Sequence, residues 1–207
     1  MTHKTLPAPD VVGKHQALLG EGPVWDPRSE RLLWVDIPDG RSLSTDPSTG
    51  VTVGRGLGKA VGVVLPRSSG GHVAALQDGF YTLADEGSPQ LIAAVEADDP
   101  STRFNDGEID PHGRFWAGTM GWEAEPGHGS LYRLDPDGSV HTMLTDVTIS
   151  NGLGWSPDGR TMYYVDTPTM RVDRFDYDPI SGDIENRREF VTVRAGGGRP
   201  DLSLIHI

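Results

Sequence analysis

The stretch Gly20–Asp36, GEGPVWDPRSERLLWVD, is written again at Ser150–Asp166 as SNGLGWSPDGRTMYYVD. Trp25-Asp26-Pro27 falls on Trp155-Ser156-Pro157, and the run ending at Asp36 falls on the run ending at Asp166. A third copy is EIDPHGRFWAGTM around Pro111, and a degenerate one is GVVLPRSSGGHVAAL around Pro66. The turn prolines therefore stand at 27, 66, 111 and 157, with spacings of 39, 45 and 46. Each unit has the same order: a short apolar run, a Pro/Asp/Gly turn, a second apolar run, then a polar turn and an outer hairpin. SLYRLDPDGSVHTML from Ser130 and VDRFDYDPISGDIENRREFV from Val172 display that hairpin, with strand formers flanking Asp-Pro turns. Four strands in roughly 45 residues is the pattern of one blade of an all-β propeller. A β-sandwich of similar strands is the competing architecture, but it has no reason to repeat its turn residues at a fixed period.

Composition agrees with many short strands. The 207 residues include 27 Gly and 16 Pro, which supply turns, and a mean hydropathy of -0.38 is ordinary for a soluble chain. Net charge is -12, which repels nucleic-acid phosphates and anionic membrane surfaces and attracts cations. Neither nucleic acid nor membrane is an expected partner, and the residues carry no signal for an oligomeric state. There is no cysteine, hence no disulfide and no thiolate metal site. No apolar run has the length of a signal peptide or a membrane span, so a cytoplasmic protein is the default expectation.

The residue six positions before each turn proline is Glu21, Ala60, Asn105 or Asn151. Equivalent positions on the innermost strands of a propeller converge on its central channel, so Glu21, Asn105 and Asn151 are expected to face one another. Singly, Asn-Gly and Asn-Asp-Gly are turn formers; the shared register is what marks them. A ring of carboxylate and amide oxygens suits a hard divalent cation, Ca²⁺ or Mg²⁺, and also accommodates Zn²⁺ or Mn²⁺. The seven histidines form no HExxH or HxH pattern and read as surface or loop residues. Asp36 and Asp166 read as ties within a blade. Trp25, Trp34, Trp116 and Trp155 read as packing between blades. VRAGGGRP is a glycine run with no helix after it, hence no phosphate loop.

The chain resembles the SMP-30/gluconolactonase family. GEGPVWD (Gly20 to Asp26), LLWVDI, RFNDGEIDPHGRFWAGTM (Arg103 to Met120), SNGLGWSPDG (Ser150 to Gly159), FDYDPISGDIENRR and the final RPD carry the resemblance, which runs from about residue 14 to Asp201. It implies a six-bladed propeller with one divalent metal held by Glu21, Asn151 and Asp201. It further implies that Arg103, Asn105 and Glu123 contact substrate, with Glu125 close to Glu123. The implied reaction is hydrolysis of a small sugar-acid lactone, with Asp201 as the base that activates water; no Gly-x-Ser-x-Gly nucleophile elbow is present. The alternative is a calcium-binding or interaction propeller without catalysis.

By this reading residues 1–13 are an N-terminal extension, residues 14–201 supply four blades and the opening of a fifth, and residues 202–207, LSLIHI, are a non-native tail. Leu202 stands where the family pattern has glycine. A C-terminally truncated propeller is the expectation, with weak or no turnover from these 207 residues by themselves.

Overall fold

The computed structural model describes residues 10–194 and 198–201; the proposed tail, most of the N-terminal extension and the centre of the glycine run lie outside them. Among the described residues there are sixteen strands, one short 3₁₀ turn at Thr167–Thr169 and no α-helix. The strands form four sheets of four, each an antiparallel meander in chain order. Blade 1 comprises β1 (Gly20–Asp26), β2 (Arg31–Asp36), β3 (Arg41–Thr45) and β4 (Thr52–Gly56). Blade 2 comprises β5 (Val61–Pro66), β6 (His72–Leu76), β7 (Gly79–Leu83) and β8 (Gln90–Ala94). Blade 3 comprises β9 (Thr102–Ile109), β10 (Phe115–Gly121), β11 (Gly129–Leu134) and β12 (Val140–Val147). Blade 4 comprises β13 (Ser150–Trp155), β14 (Thr161–Asp166), β15 (Arg171–Tyr177) and β16 (Ile184–Thr192). Each turn proline ends the first strand of its blade or follows it, as the repeat requires. The innermost strands β1, β5, β9 and β13 pack one against the next, the radial arrangement of a propeller and not the facing sheets of a sandwich.

Three apolar clusters glue the blades. Val35, Ile37, Val61, Val64 and Leu76 join blades 1 and 2. Val63, Leu65, Phe80, Phe104 and Phe115 join blades 2 and 3. Trp116, Leu131, Met162, Tyr164 and Phe175 join blades 3 and 4. Strand alternation alone would send Val61 and Val63 to the same face. A bulge between them sends them to opposite clusters, so one strand serves two interfaces.

Polar ties repeat with the blades. The Asp36 carboxylate accepts the backbone N–H groups of Leu18 and Leu19, and Asp166 accepts those of Thr148 and Ile149. Both thus bind the incoming segment to the end of their own blade, as their matched positions suggested. Asp110 is buried between blades 3 and 4, where the Tyr177 hydroxyl donates to it at 2.6 Å and the Trp116 indole at 3.1 Å. Burial alone would push that carboxyl up, but hydrogen bonds from Tyr177, Trp116 and the backbone of Arg114 and His112 outweigh it and hold it below the usual carboxylate range.

Two readings of single residues need correction. Trp116 is a fully buried packing residue, but Trp25 is 48% exposed and fills no interface. It lies on β1, whose outward face no further blade covers among the described residues. His72 is not a loop residue: it starts β6 and its Nε2 is buried without a partner.

Candidate functional site

Glu21 and Asn151 occupy the same place in their blades. Glu21 pairs with Val35 on β2 and Asn151 with Val165 on β14, and in each case the ladder breaks into a bulge immediately afterwards. The β9–β10 ladder breaks likewise between its Phe104–Thr119 and Gly107–Ala117 pairs, leaving Asn105 and Asp106 in the irregular stretch. A bulge adds twist and re-aims side chains, which is how three equivalent strand starts turn their polar groups to one spot.

The groups of β9 and β13 form one hydrogen-bonded chain, which Glu21 does not join. Arg103 Nη1 donates to Asn105 Oδ1 at 2.8 Å and to the Phe104 carbonyl at 3.1 Å. Asn105 Nδ2 donates to the Ser150 carbonyl at 2.8 Å and to Asn151 Oδ1 at 2.9 Å. Asn151 Nδ2 donates to Thr167 Oγ1 at 2.8 Å, and that hydroxyl donates to the Pro200 carbonyl at 2.9 Å. Thr167 therefore fixes both Asn151 and the segment that delivers Asp201.

The Asn151 amide is caught between incompatible neighbours. With Oδ1 toward Asn105 it accepts that bond, yet it then stands 3.0 Å from Asp201 Oδ1, oxygen against oxygen. Turned over, its nitrogen donates to Asp201 Oδ1 but confronts Asn105 Nδ2 at 2.9 Å, and its oxygen meets a Thr167 hydroxyl already committed to Pro200. Neither orientation satisfies every neighbour. Burial in the first place, and then the Asp201 carboxylate, push Glu21 above the usual range, with the Arg103 guanidinium and the Gly22 N–H acting in the opposite direction. Two carboxylates and an amide oxygen crowded in this way are the donor set a hard divalent cation takes. Among the described residues no group of three His, Asp or Glu side chains could hold a metal, so any such centre must include the amide.

Arg103 is 6% exposed, and burial lowers the pKa of its guanidinium while Glu21 raises it. Its Nε is buried without a partner. Glu123 is exposed on the loop after β10 and makes no hydrogen bond or ion pair with this cluster among the described residues. Glu125 turns back against Gly121, with its Oε2 buried and unpartnered.

Three residues escaped the sequence reading. Asp106 follows Asn105 and was absorbed into a turn-forming Asn-Asp-Gly. It is buried, and burial pushes its carboxyl up to about 7, with Asp201, Glu108 and Glu21 adding to the rise and the Gly107 N–H opposing it. With Gly22, Val63, Glu108 and Leu153 it lines a cavity of about 80 Å³ among the inner strands. Thr167 had no signal beyond its place after Asp166. Trp122 adjoins the GTM motif, and its ring lies 5.2 Å from Arg103 Cζ.

Fold and site together define an all-β propeller whose inner strands gather carboxylates, amides and a guanidinium into one cluster. The chain belongs to the SMP-30/Gluconolactonase/LRE-like family, whose sequence profile matches residues 19–206. It is 41% identical to regucalcin of Xenopus laevis over 88% of this chain and 63% of that protein. It is 38% identical to a Bacillus subtilis protein provisionally named a sugar lactone lactonase, over 90% of this chain and 64% of that one. Among solved structures, a calcium-binding protein, regucalcin, from Agrobacterium tumefaciens superposes with a TM-score of 0.86 at 32% identity, covering 91% of this chain and 64% of that one. The chain thus spans a little under two thirds of the length of these relatives.

Proposed function

We propose that this protein is a divalent-metal-dependent lactonase that opens sugar-acid lactones. The observation that carries the reading is the convergence of Asn151 and Asp201, whose polar atoms lie 3.0 Å apart, with a Glu21 whose ionisation is opposed by burial and then by the Asp201 charge. Glu21, Asn151 and Asp201 hold the cation, which is Ca²⁺, Mg²⁺, Mn²⁺ or Zn²⁺. Bound there, such an ion supplies Lewis-acid polarisation of the lactone carbonyl.

The remaining work belongs to the chain. Asp201, on the exposed side of the cluster, accepts a proton from a water as the water oxygen bonds to the carbonyl carbon. The ring C–O bond then breaks, and the proton passes to the departing ring oxygen, giving the open hydroxy acid, which ionises at neutral pH. Arg103 and Asn105, already bonded to each other, present donors to the substrate oxygens. Glu123 reads a hydroxyl from the adjoining loop. A lactone is an activated ester, so no serine nucleophile is needed. The family description and the lactonase name of the Bacillus relative support this reading.

Calorimetric titration with Ca²⁺ tests the donor set. One cation is expected to bind the wild type, with at least about tenfold loss in Glu21→Gln and Asp201→Ala variants. Equal binding by all three would overturn the assignment. Cation binding without turnover of any sugar lactone would favour the non-catalytic calcium-binding propeller instead.

A further inference from the structure

We propose that Trp122 is an aromatic platform at the mouth of the site, packing against the C–H face of a cyclic sugar lactone while holding the Arg103 guanidinium in place. The proposal rests on the lactonase reading and deepens it: the site recognises the closed ring of its substrate by contact area as well as by hydrogen bonds.

The geometry has three parts. Trp122 directly follows β10, and its N–H donates to the Ser101 carbonyl at 2.9 Å, which pins it beside the start of β9. Its ring lies 5.2 Å from Arg103 Cζ, within the range of a cation–π contact. Trp122 is nonetheless 38% exposed, whereas Arg103 beside it is 6% exposed and Trp116, the packing tryptophan of β10, 0%. Unlike the exposed Trp25, Trp122 carries its exposed surface beside the guanidinium of the polar cluster.

Arg103 explains why the position matters. Its Nη1 is spent on Asn105 and on the Phe104 carbonyl, while its Nε is buried with no acceptor. Trp122 on one side and Asn105 on the other fix the fork and leave Nη2, which makes no hydrogen bond among the described residues and is not one of the buried unpartnered atoms, for an incoming oxygen. A sugar ring offers hydroxyls at its rim and C–H groups on its faces, so it can meet the guanidinium and the indole together. The open-chain product has no such flat face. The platform accordingly favours lactone over aldonate and eases product release.

The test is calorimetric binding, with Ca²⁺ held saturating, of D-gluconolactam, a ring of the lactone's shape whose amide resists hydrolysis, and of D-gluconate. The wild type is expected to bind the lactam. Losing one apolar ring contact in Trp122→Ala should weaken the lactam about tenfold, and Trp122→Phe, which keeps a flat face, should stay within about threefold. Gluconate, which meets Arg103 but not the flat face, should weaken clearly less than the lactam. Trp122→Leu covers Arg103 without offering a flat face and gives the same selective loss, which keeps the test decisive should the alanine variant fold poorly. Undiminished lactam binding in both Trp122→Ala and Trp122→Leu would overturn the platform and leave the lactonase reading standing. Equal loss of lactam and gluconate would also overturn it, reducing Trp122 to a clamp on Arg103. A wild type that binds neither compound would sink the lactonase reading and the platform with it.

Discussion

Asn151 shows what a repeat can and cannot tell. Its register with Glu21, six residues before a turn proline, was legible, and the matched pairs Glu21–Val35 and Asn151–Val165 bear that register out. The conflict of its amide with Asn105 and Asp201 was not, because it depends on a segment 50 residues further on. Asp106 and Trp122 were missed for a different reason: one looked like turn chemistry and the other had no repeated counterpart. Trp25 misled, since a tryptophan on a blade strand packs only if a neighbouring blade covers its face.

His72 belongs to the same scale and carries a pH prediction. It lies with Trp34, Arg28 and Asp85 on a cavity of about 520 Å³ between blades 1 and 2. Burial first, with Arg28 and Arg55 behind it and Asp26 and Asp85 opposing, lowers its pKa below the usual 6.5. As pH falls through about 6.5 the unfolded chain takes up a proton that the folded imidazole refuses, so stability is full above that pH and declines below it. The fall in melting temperature between pH 7.5 and pH 5 should be smaller in His72→Leu than in the wild type. An identical fall in both would show that His72 contributes nothing to it.

At the scale of the element, hairpins and their turns were readable because Asp-Pro-Gly chemistry and alternating apolar residues are local signals. The bulges were not, since a glycine inside an apolar run signals equally a bulge, a bend or a close approach. Gly62 combines two of these. It sits in the bulge of β5, and a Cβ there would lie 2.6 Å from the Phe104 carbonyl carbon and 2.9 Å from the Asn105 nitrogen. Backbone cannot yield cheaply at such distances. Gly62→Ala should therefore lower unfolding free energy by about 1–3 kcal/mol and displace the strand that carries Arg103 and Asn105. A urea midpoint unchanged from wild type would contradict this packing account.

For the whole molecule, the period of the turn prolines was enough to specify four radial blades, because a repeated unit that cannot bury its own faces must stack on copies of itself. The same stacking leaves wedges where blades splay outward, including a space of about 710 Å³ between blades 2 and 3 that is remote from the polar cluster. The polar cluster lies on the inner strands, where different blades come close enough to share hydrogen bonds. Function therefore depends on departures from the repeat: glutamate in one copy, asparagine in two, alanine in the fourth.

Sugar-lactone hydrolysis, followed by proton release after removing metal with a chelator and restoring it as Ca²⁺, Mg²⁺, Mn²⁺ or Zn²⁺, tests the central claim most directly when run beside Asp201→Ala. The account predicts turnover above the spontaneous rate, slow from these four blades, that vanishes with the metal, returns with it and is missing from the variant. Hydrolysis indifferent to both metal and Asp201, or none on any sugar lactone, would contradict it.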